Sequence, residues 1–341
     1  MLRAIHNPLT SRPIIIPSLH PPPIPITPIT HQKKPITTHS HPKYNPQSLK
    51  PTLQKILSHF PTPIDYAIAY GSNIFPQSQS QSPHTSNIPK MTDLIISVPS
   101  TQTFHTHNLS TNPTHYPPLI STLGPTLISK LNDTLGAGIS YTPYITINNT
   151  SLKYGIINTP SLIHDLLHWE SMYLAGRFHK PILVIKDHEG VEEARKRNLE
   201  SAVKVALLIL PGTFTERMFY GVVVGLSYSG DVRIVLGGEG RGKVDGIDMC
   251  PRVRAELVRG LPRGLRRSVY ARFSGGDEDE DGMARRVVLD PRSKEIVERA
   301  VVETVRWPSL VQSLKSIVTA GVGRSWRYAM EKRRKARGGE I

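Results

Sequence analysis

The chain has 341 residues and carries 42 Lys and Arg against 27 Asp and Glu, a formal net charge of +15. This excess favours an anionic partner, such as a nucleotide, a nucleic acid or an acidic membrane surface. A single cysteine, Cys250, excludes a disulfide framework and disfavours a thiolate zinc site. No apolar run reaches the roughly 18 residues that a membrane-spanning helix needs, so we expect a soluble or peripheral protein.

Residues 1–50 form a basic, proline-rich leader. No Asp or Glu precedes Asp65, whereas Lys, Arg, Ser and Thr are frequent. This composition is typical of a mitochondrial transit peptide. The prolines from Pro21 to Pro28 exclude a continuous amphipathic helix, which leaves a leader without targeting value as the alternative. We predict a targeting segment here.

The next part of the chain has the pattern of a β-rich domain. Apolar runs at Tyr66–Tyr70 and Leu94–Val98 predict two strands, and the polar stretch Gln77–Lys90 between them predicts a loop. The run Tyr141–Ile147 predicts another strand. Because Pro143 cannot donate a ladder hydrogen bond, this strand should lie at an edge or contain a bulge.

Helical signals dominate after residue 158. Thr159 can cap a helix, Pro160 suits its first turn, and Gly176 can end it. The run Pro181–Ile185 predicts a strand. Two further helices are predicted over Val191–Leu210 and Phe214–Tyr228.

The C-terminal part contains unusual charge runs. Gly237–Gly246 predicts a glycine-rich loop, and the five consecutive acids Asp277–Asp281 predict a solvated loop. A final helix is predicted to begin at Ser309, after Pro308, and to continue into the basic, aromatic stretch 324–337. That stretch suits an anionic lipid surface. Nucleic-acid binding and a plain exposed basic tail are the alternatives.

The chemistry is expected around a Gly-Ser turn and one acid. Gly71 and Ser72 follow the first strand, and Asp93 opens the second. A glycine lets backbone N–H groups approach a triphosphate, and a serine hydroxyl can bind a phosphate oxygen. An aspartate can hold the Mg²⁺ that bridges such phosphates. An ordinary β-turn with a strand-edge aspartate is the alternative.

Asp93 has no second acid beside it. Two-metal nucleotidyltransferases place a pair of acids on this strand, but Met91 and Ile95 occupy the positions two residues away. The best candidate for another carboxylate is Asp231, which follows Gly230. An ordinary turn aspartate is equally compatible with this spacing.

Basic residues near the end of the first predicted helix could bind phosphates. Arg177, Lys180 and Lys186 are the candidates, with a solvated basic edge as the alternative. His164 and His168 have the i, i+4 spacing of zinc ligands, but no third ligand is indicated, so we interpret them as a helix-surface pair.

Several segments together resemble one family, the mitochondrial phosphatidate cytidylyltransferases. They follow in order over about residues 60–330. The resembling segments are Tyr70–Gln77, Met91–Ile95, Asn108–Tyr116, Gly136–Gly138, Pro143–Tyr144, Lys153–Gly155, Asp165–Pro181, Gly225–Arg233 and Ala320–Trp326.

The resemblance implies an α+β protein of three parts after the leader. These are a nucleotidyltransferase-fold domain over 51–158, a winged-helix-like, mostly helical domain over 159–305, and a C-terminal amphipathic, membrane-associating helix over 306–341. It implies the reaction of CTP with phosphatidic acid to give CDP-diacylglycerol and pyrophosphate, with Mg²⁺ as cofactor. The implied location is peripheral, on the matrix side of the mitochondrial inner membrane, where the product serves cardiolipin and phosphatidylglycerol synthesis.

The resemblance also implies roles for residues. Gly71 and Ser72 would hold the CTP phosphates, Asp93 a metal, and Asp231 would be the second acid. Arg177 and Lys180 would be further phosphate contacts. The family has glycine where Asn73 stands, and Asn tolerates the same backbone conformation better than most residues.

Two other functions remain open at this point. One is a nucleotidyltransferase that modifies RNA, although we do not expect nucleic acid as the partner. The other is a non-catalytic assembly factor at the membrane surface, which the lone acid and Asn73 would favour.

Overall fold

The protein is described by a computed structural model. The described residues are 45–61, 63–76, 91–228, 243–244, 250–273, 278–321, 323–324, 326–327 and 330. Within them the chain has a mixed α+β architecture, which confirms the predicted fold class. The leader up to residue 44, the predicted loop Gln77–Lys90, Asp231 and most of the predicted loop Gly237–Gly246 lie outside the described residues.

A five-stranded mixed sheet forms the N-terminal half. Its order is β3-β4-β2-β1-β5, with β2 and β4 parallel and the other neighbours antiparallel. The predicted edge position of β3 is confirmed, and its register shifts between Thr142 and Ile145, around Pro143. The strands are β1 (Tyr66–Tyr70), β2 (Thr92–Val98), β3 (Ser140–Ile147), β4 (Thr150–Asn158) and β5 (Ile182–Lys186).

The helices account for most of the remaining described chain. The predicted helices at Val191–Leu210 and Phe214–Tyr228 are confirmed as α6 and α7, the latter followed by one 3₁₀ turn. A two-stranded ladder joins β6 (Phe214–Thr215) to β7 (Lys243–Val244). The helices are α1 (Lys50–Leu57), α2 (Thr101–Thr111), α3 (Pro118–Ser121), α4 (Gly124–Thr134), α5 (Thr159–His168), α6 (Glu189–Ile209), α7 (Glu216–Gly225), α8 (Pro251–Arg259), α9 (Arg263–Tyr270), α10 (Glu280–Leu289) and α11 (Ser293–Ala320).

Both faces of the sheet are covered, which explains why β1 is apolar throughout. Side chains alternate along a strand. Ala67 and Ala69 therefore join a core with Phe104 of α2, while Tyr66 and Ile68 join the core formed with α5 and α6 on the opposite face. A strand buried on two sides gives a continuous apolar run rather than an alternating one.

The helix α5 ends earlier than its sequence predicts. It is capped by Asn158, whose side chain accepts from the Ser161 N–H, and it ends at His168 rather than at Gly176. Trp169 has φ 54°, in the left-handed region. The buried Asp165 carboxylate accepts backbone N–H bonds from the segment that follows, so these groups do not continue the helix.

The last helix begins well before the predicted start. The helix α11 runs from Ser293 to Ala320 with Pro308 inside it, so Ser309 is not a cap. Buried side chains upstream of Pro308 pack into the core and hold the earlier turns in place. The helix ends at Gly321, whose φ is +84°. The described residues beyond it, 323–324, 326–327 and 330, are helical again, so the basic stretch is helical there after a break at Gly321. The helix α11 itself spans the predicted border between residues 305 and 306.

The described part of the acidic run is also helical rather than a loop. Asp279 caps α10 by accepting from the Gly282 N–H, and Glu280 and Asp281 lie in its first turn. Acids are favourable there because they face the positive end of the helix dipole.

Candidate functional site

The strand register places Asp93 between a tyrosine and a lysine. Tyr70 is its antiparallel partner on β1, and Lys153 is its parallel partner on β4. Because side chains at matched positions share a face of the sheet, the three lie side by side across it. The Asp93 side chain is 26% exposed, so its carboxylate is accessible from solvent at the start of β2.

The turn after β1 leaves room for that carboxylate. Gly71 has φ +88°, and a Cβ there would lie 3.0 Å from the Asp93 Oδ2 atom. A side chain at this position would therefore be strained and would press on the carboxylate. The Asn73 Nδ2 atom donates to the Thr92 hydroxyl at 2.7 Å, which ties the turn to the start of β2. Ser72 is exposed in the same turn.

Lys153 is held beside Asp93. Its Nζ atom lies 3.7 Å from the Asp93 Oδ1 atom and 4.7 Å from the centre of the Tyr141 ring. The ring can occupy this place because residue 155 is glycine, where a Cβ would come within 2.6 Å of the Tyr141 Cε1 atom. The sheet thus orients the ammonium through a cation–π contact and an ion pair.

The segment after α5 brings two basic residues to the same region. The Arg177 guanidinium lies 4.7 Å from the centre of the Tyr70 ring. Burial and the Asp93 charge raise the pKa of Tyr70 to about 12, so its hydroxyl stays neutral. The Lys180 Nζ atom donates to the Ser227 hydroxyl at 2.8 Å. Burial and neighbouring Arg177 lower the pKa of Lys180 to about 7.

Asp165 organises this segment. Its carboxylate accepts from the Ser171 hydroxyl at 2.8 Å and from four backbone N–H groups. The four N–H groups belong to Ser171, Met172, Leu174 and Ala175, at 2.9 to 3.2 Å. The buried carboxylate thereby fixes the backbone that leads to Arg177.

The remaining predicted residues lie in different places. Lys186 is at the far end of β5, paired with Ala67 rather than with Tyr70, and its ammonium donates to the Ile64 carbonyl. The structure therefore does not bring Lys186 to Asp93. Asp93 lies beside Tyr70, at one end of β1, whereas Lys186 lies beside Ala67, toward the other end. Asp231 is outside the described residues, but Ser227, four positions earlier, packs against Gly176.

The two helix histidines form no larger cluster. The rings of His164 and His168 are 4.7 Å apart on α5. Within the described ranges, no group of three or more His, Cys, Asp and Glu side chains could hold a metal ion.

The donor chemistry at Asp93 fits Mg²⁺ together with a nucleotide. Mg²⁺ prefers oxygen ligands and is commonly held by one or two carboxylates plus substrate phosphates and water. Asp93 offers one accessible carboxylate, and the absent side chain of Gly71 keeps the space beside its Oδ2 atom open. Phosphate oxygens and a second acid would supply the remaining ligands.

Sequence reasoning assigned no role to Lys153. Its signal was a lysine between the buried residues Leu152 and Tyr154. A charge at such a position needs a partner, and the partner was Asp93 on a strand that is distant in the chain. Only the pairing of β2 with β4 reveals it.

Comparison with known proteins gives a consistent result. The family model described as mitochondrial phosphatidate cytidylyltransferase matches residues 53–248 and 246–335. The relative of that name from Xenopus laevis is 32% identical over 82% of this chain and 92% of its own length. The Danio rerio relative is 33% identical over 83% of this chain and 93% of its own length. The Saccharomyces cerevisiae relative is 29% identical over 85% of this chain and 71% of its own length. The chain, with its Gly71 turn and Asp93 set in this sheet, belongs to the family of mitochondrial phosphatidate cytidylyltransferases.

Proposed function

We propose that this protein transfers the cytidylyl group of CTP to phosphatidate, giving CDP-diacylglycerol and pyrophosphate. The observation that carries the proposal is the accessible Asp93 carboxylate beside the open Gly71 turn, in a chain of this family. The product would serve cardiolipin and phosphatidylglycerol synthesis. The location proposed is the matrix side of the mitochondrial inner membrane, to which the leader over residues 1–50 would direct the chain.

The reaction needs positioning and charge neutralisation more than covalent chemistry from the protein. An oxygen of the phosphatidate phosphate forms a bond to the α-phosphorus of CTP. The bond from that phosphorus to the bridging oxygen breaks, and pyrophosphate leaves with the electron pair. Gly71, Ser72 and Asn73 would hold the CTP phosphates through the turn, and Arg177 and Lys180 would bind further phosphate oxygens.

Asp93 and Asp231 are proposed to hold Mg²⁺ when the nucleotide is present. The bound ion would neutralise phosphate charge and help to align the two substrates. Support for Asp231 is indirect. Ser227 lies against Gly176, and Lys180 donates to the Ser227 hydroxyl, so the chain that leads to Asp231 starts at the basic segment of the site.

The finer architecture is part of the same proposal. A nucleotidyltransferase fold, which we predicted over 51–158, is supported by the mixed sheet with an acid at the start of a central strand. The edge strand β5 of that sheet lies at residues 182–186, beyond the predicted border. A winged-helix-like domain over 159–305 is supported by its helices and by the small ladder of β6 and β7. The closing part, 306–341, would contact the membrane.

The part of α11 from Trp307 onward supports a membrane-facing role because its polarity is inverted. Its buried side includes Gln312, 1% exposed, which donates to the Ile139 carbonyl just before β3, and Lys315, 4% exposed, which donates to the Asn132 carbonyl near the end of α4. Its exposed side is apolar, with Trp307 at 69% and Leu314 at 60% exposure. The apolar side also includes Leu310, Ile317 and Val318.

An exposed apolar stripe of this kind suits the interfacial region of a lipid bilayer, with Trp at the level of the headgroups. Basic residues follow the helix, and Arg324 donates to the carbonyls of Thr114 and His115. Anionic headgroups would attract such residues. No helix in the described ranges is long and apolar enough to cross a membrane.

The reaction is tested with the full chain, labelled CTP and vesicles that contain phosphatidate. CDP-diacylglycerol should form only with Mg²⁺, CTP and phosphatidate together, and pyrophosphate should appear in equal amount. Release of pyrophosphate without phosphatidate, or addition of cytidylate to RNA instead, would contradict the proposal. Binding of CTP without turnover would favour a non-catalytic assembly factor.

The membrane surface is tested by flotation with anionic vesicles. Replacing Leu310 and Leu314 together with Ser should weaken binding at least about tenfold, because each buried leucine contributes about 1.5 kcal/mol or more. The control is Ser313→Ala, an exposed position on the same helix. Equal flotation of all three proteins would exclude this stripe as the membrane contact.

A further inference from the structure

We propose that Lys153 is a catalytic residue that binds a phosphate oxygen of the nucleotide and provides the fixed positive charge next to Asp93. The inference rests on the proposed function and deepens it. It also gives a physical account of why Asp93 has no second acid on its own strand.

The strand β2 offers no place for another carboxylate. Met91 precedes the strand, and Ile95 is fully buried in the core on the Asp93 face. The neighbouring strand places an ammonium 3.7 Å from the Asp93 Oδ1 atom instead. An acid and a lysine on adjacent strands carry less negative charge than two acids on one strand would, because the lysine already supplies one positive charge.

The geometry of the pair suits a ligand better than it suits stability alone. A charge-assisted hydrogen bond from an ammonium to a carboxylate is about 2.7–2.9 Å long. The separation of 3.7 Å is longer, and both side chains remain partly exposed. Such a pair contributes about 0–1 kcal/mol to folding. An ammonium has three N–H donors, so Lys153 can contact Asp93 and a phosphate oxygen together.

The surroundings hold the ammonium where a nucleotide phosphate would arrive. The Tyr141 ring supports it from one side, and Gly155 makes room for that ring. Gly71 and its turn lie on the other side of the same carboxylate. A triphosphate bound over the turn would therefore bring its oxygens next to both Asp93 and Lys153.

The role is electrostatic and needs no proton transfer. As the phosphatidate oxygen bonds to the α-phosphorus and the bond to the leaving pyrophosphate breaks, negative charge shifts among the phosphate oxygens. The positive charge of Lys153 stabilises that charge. Fixed donors aimed at developing charge typically account for about 10²–10³ in rate.

The test compares Lys153→Met, Lys153→Arg and wild type, with Lys196→Met as the matched control. Lys196 is exposed on α6 and its loss changes the net charge by the same amount. Turnover is measured with CTP, phosphatidate vesicles and saturating Mg²⁺. CTP binding is measured separately. Mn²⁺ binding without nucleotide is measured from the electron paramagnetic resonance signal of the free ion. Thermal unfolding shows whether each variant is folded.

Lys153→Met should lower turnover about 10²–10³-fold and weaken CTP binding, with Lys153→Arg in between. Its affinity for Mn²⁺ alone should rise about threefold to tenfold, because the positive charge beside Asp93 is gone. A purely structural lysine would lower thermal stability and leave the CTP affinity of the folded protein unchanged.

Turnover of Lys153→Met within about twofold of wild type would overturn the inference, and so would unchanged CTP and Mn²⁺ binding. If the wild-type protein makes no CDP-diacylglycerol, the proposed function fails. The two binding measurements then still decide whether Lys153 acts beside Asp93.

Discussion

Asp93 and Asp165 are two carboxylates that the fold uses in opposite ways. Asp165 is 6% exposed and accepts five hydrogen bonds, four of them from backbone N–H groups. Asp93 is more exposed, faces an open glycine turn and has a lysine at 3.7 Å. A carboxylate saturated by backbone donors stabilises the chain, whereas one kept accessible beside a charge is suited to a ligand.

Removing Asp93 should have the largest effect on turnover and little on folding. Asp93→Ala is expected to lower CDP-diacylglycerol formation about 10³-fold or more, since a ligand of the proposed metal is lost. Its free energy of unfolding should change by less than about 1 kcal/mol, because a partly exposed ion pair contributes little. Full activity in this variant would remove Asp93 from the proposed metal site.

Asp165→Ala should reverse that pattern. Four backbone donors and a hydroxyl would be left without their acceptor inside the protein, at an expected loss of about 3 kcal/mol or more in the free energy of unfolding. Denaturant unfolding measures it. The exposed Asp187 gives the control, since Asp187→Ala should leave stability nearly unchanged. A stable Asp165→Ala variant would contradict the assigned role.

Gly71→Ala tests the space beside Asp93. A Cβ would be strained at φ +88° and would lie 3.0 Å from the carboxylate, so we expect a loss of about 1–2 kcal/mol in stability and reduced turnover. Gly212→Ala is the matched control, because nothing lies within 4 Å of a Cβ at that position. Equal turnover in both variants would mean that the turn does not shape the site.

The smallest expected effect concerns the pH dependence of CTP binding. Lys180 has a pKa lowered to about 7 by burial and Arg177, so its ammonium loses its proton as the pH rises above 7. If it binds a phosphate, the KM for CTP should rise between pH 6 and pH 9 by about threefold to tenfold more than in Lys180→Arg. Arg stays charged over that range. Parallel KM profiles for the two proteins would exclude a phosphate contact by Lys180.

Local patterns predicted four strands of the five-stranded sheet and the helices α6 and α7, but they did not predict β4. The apolar runs gave β1, β2 and β5, and Pro143 marked β3 as an edge strand with a bulge. The predicted end of α5 at Gly176 was wrong because the Asp165 side chain, not a glycine, determines where the helix ends. The start of α11 was wrong because packing of the turns before Pro308 outweighs the missing N–H of that proline.

The site was predictable where the type of residue at the end of a strand or helix indicates its chemistry. The Gly71 turn and Asp93 follow from strand-end chemistry, and the structure brings them together. Lys153 depends on strand register, and the separation of Lys186 from Asp93 depends on distance along β5. The register of β2 with β4 and the position of Lys186 along β5 cannot be predicted from residue spacing. Both are set by the pairing of strands that are distant in the sequence.

The parallel pairing of β2 with β4 also has a consequence for how the protein acquires activity. These strands are joined through α2, α3, α4 and β3, so Asp93 meets Lys153 only after this long connection has closed. Non-local pairing of this kind is slow relative to helix formation. Nucleotide binding should therefore return late in refolding, after most helical signal, and can serve as a reporter for completion of the sheet.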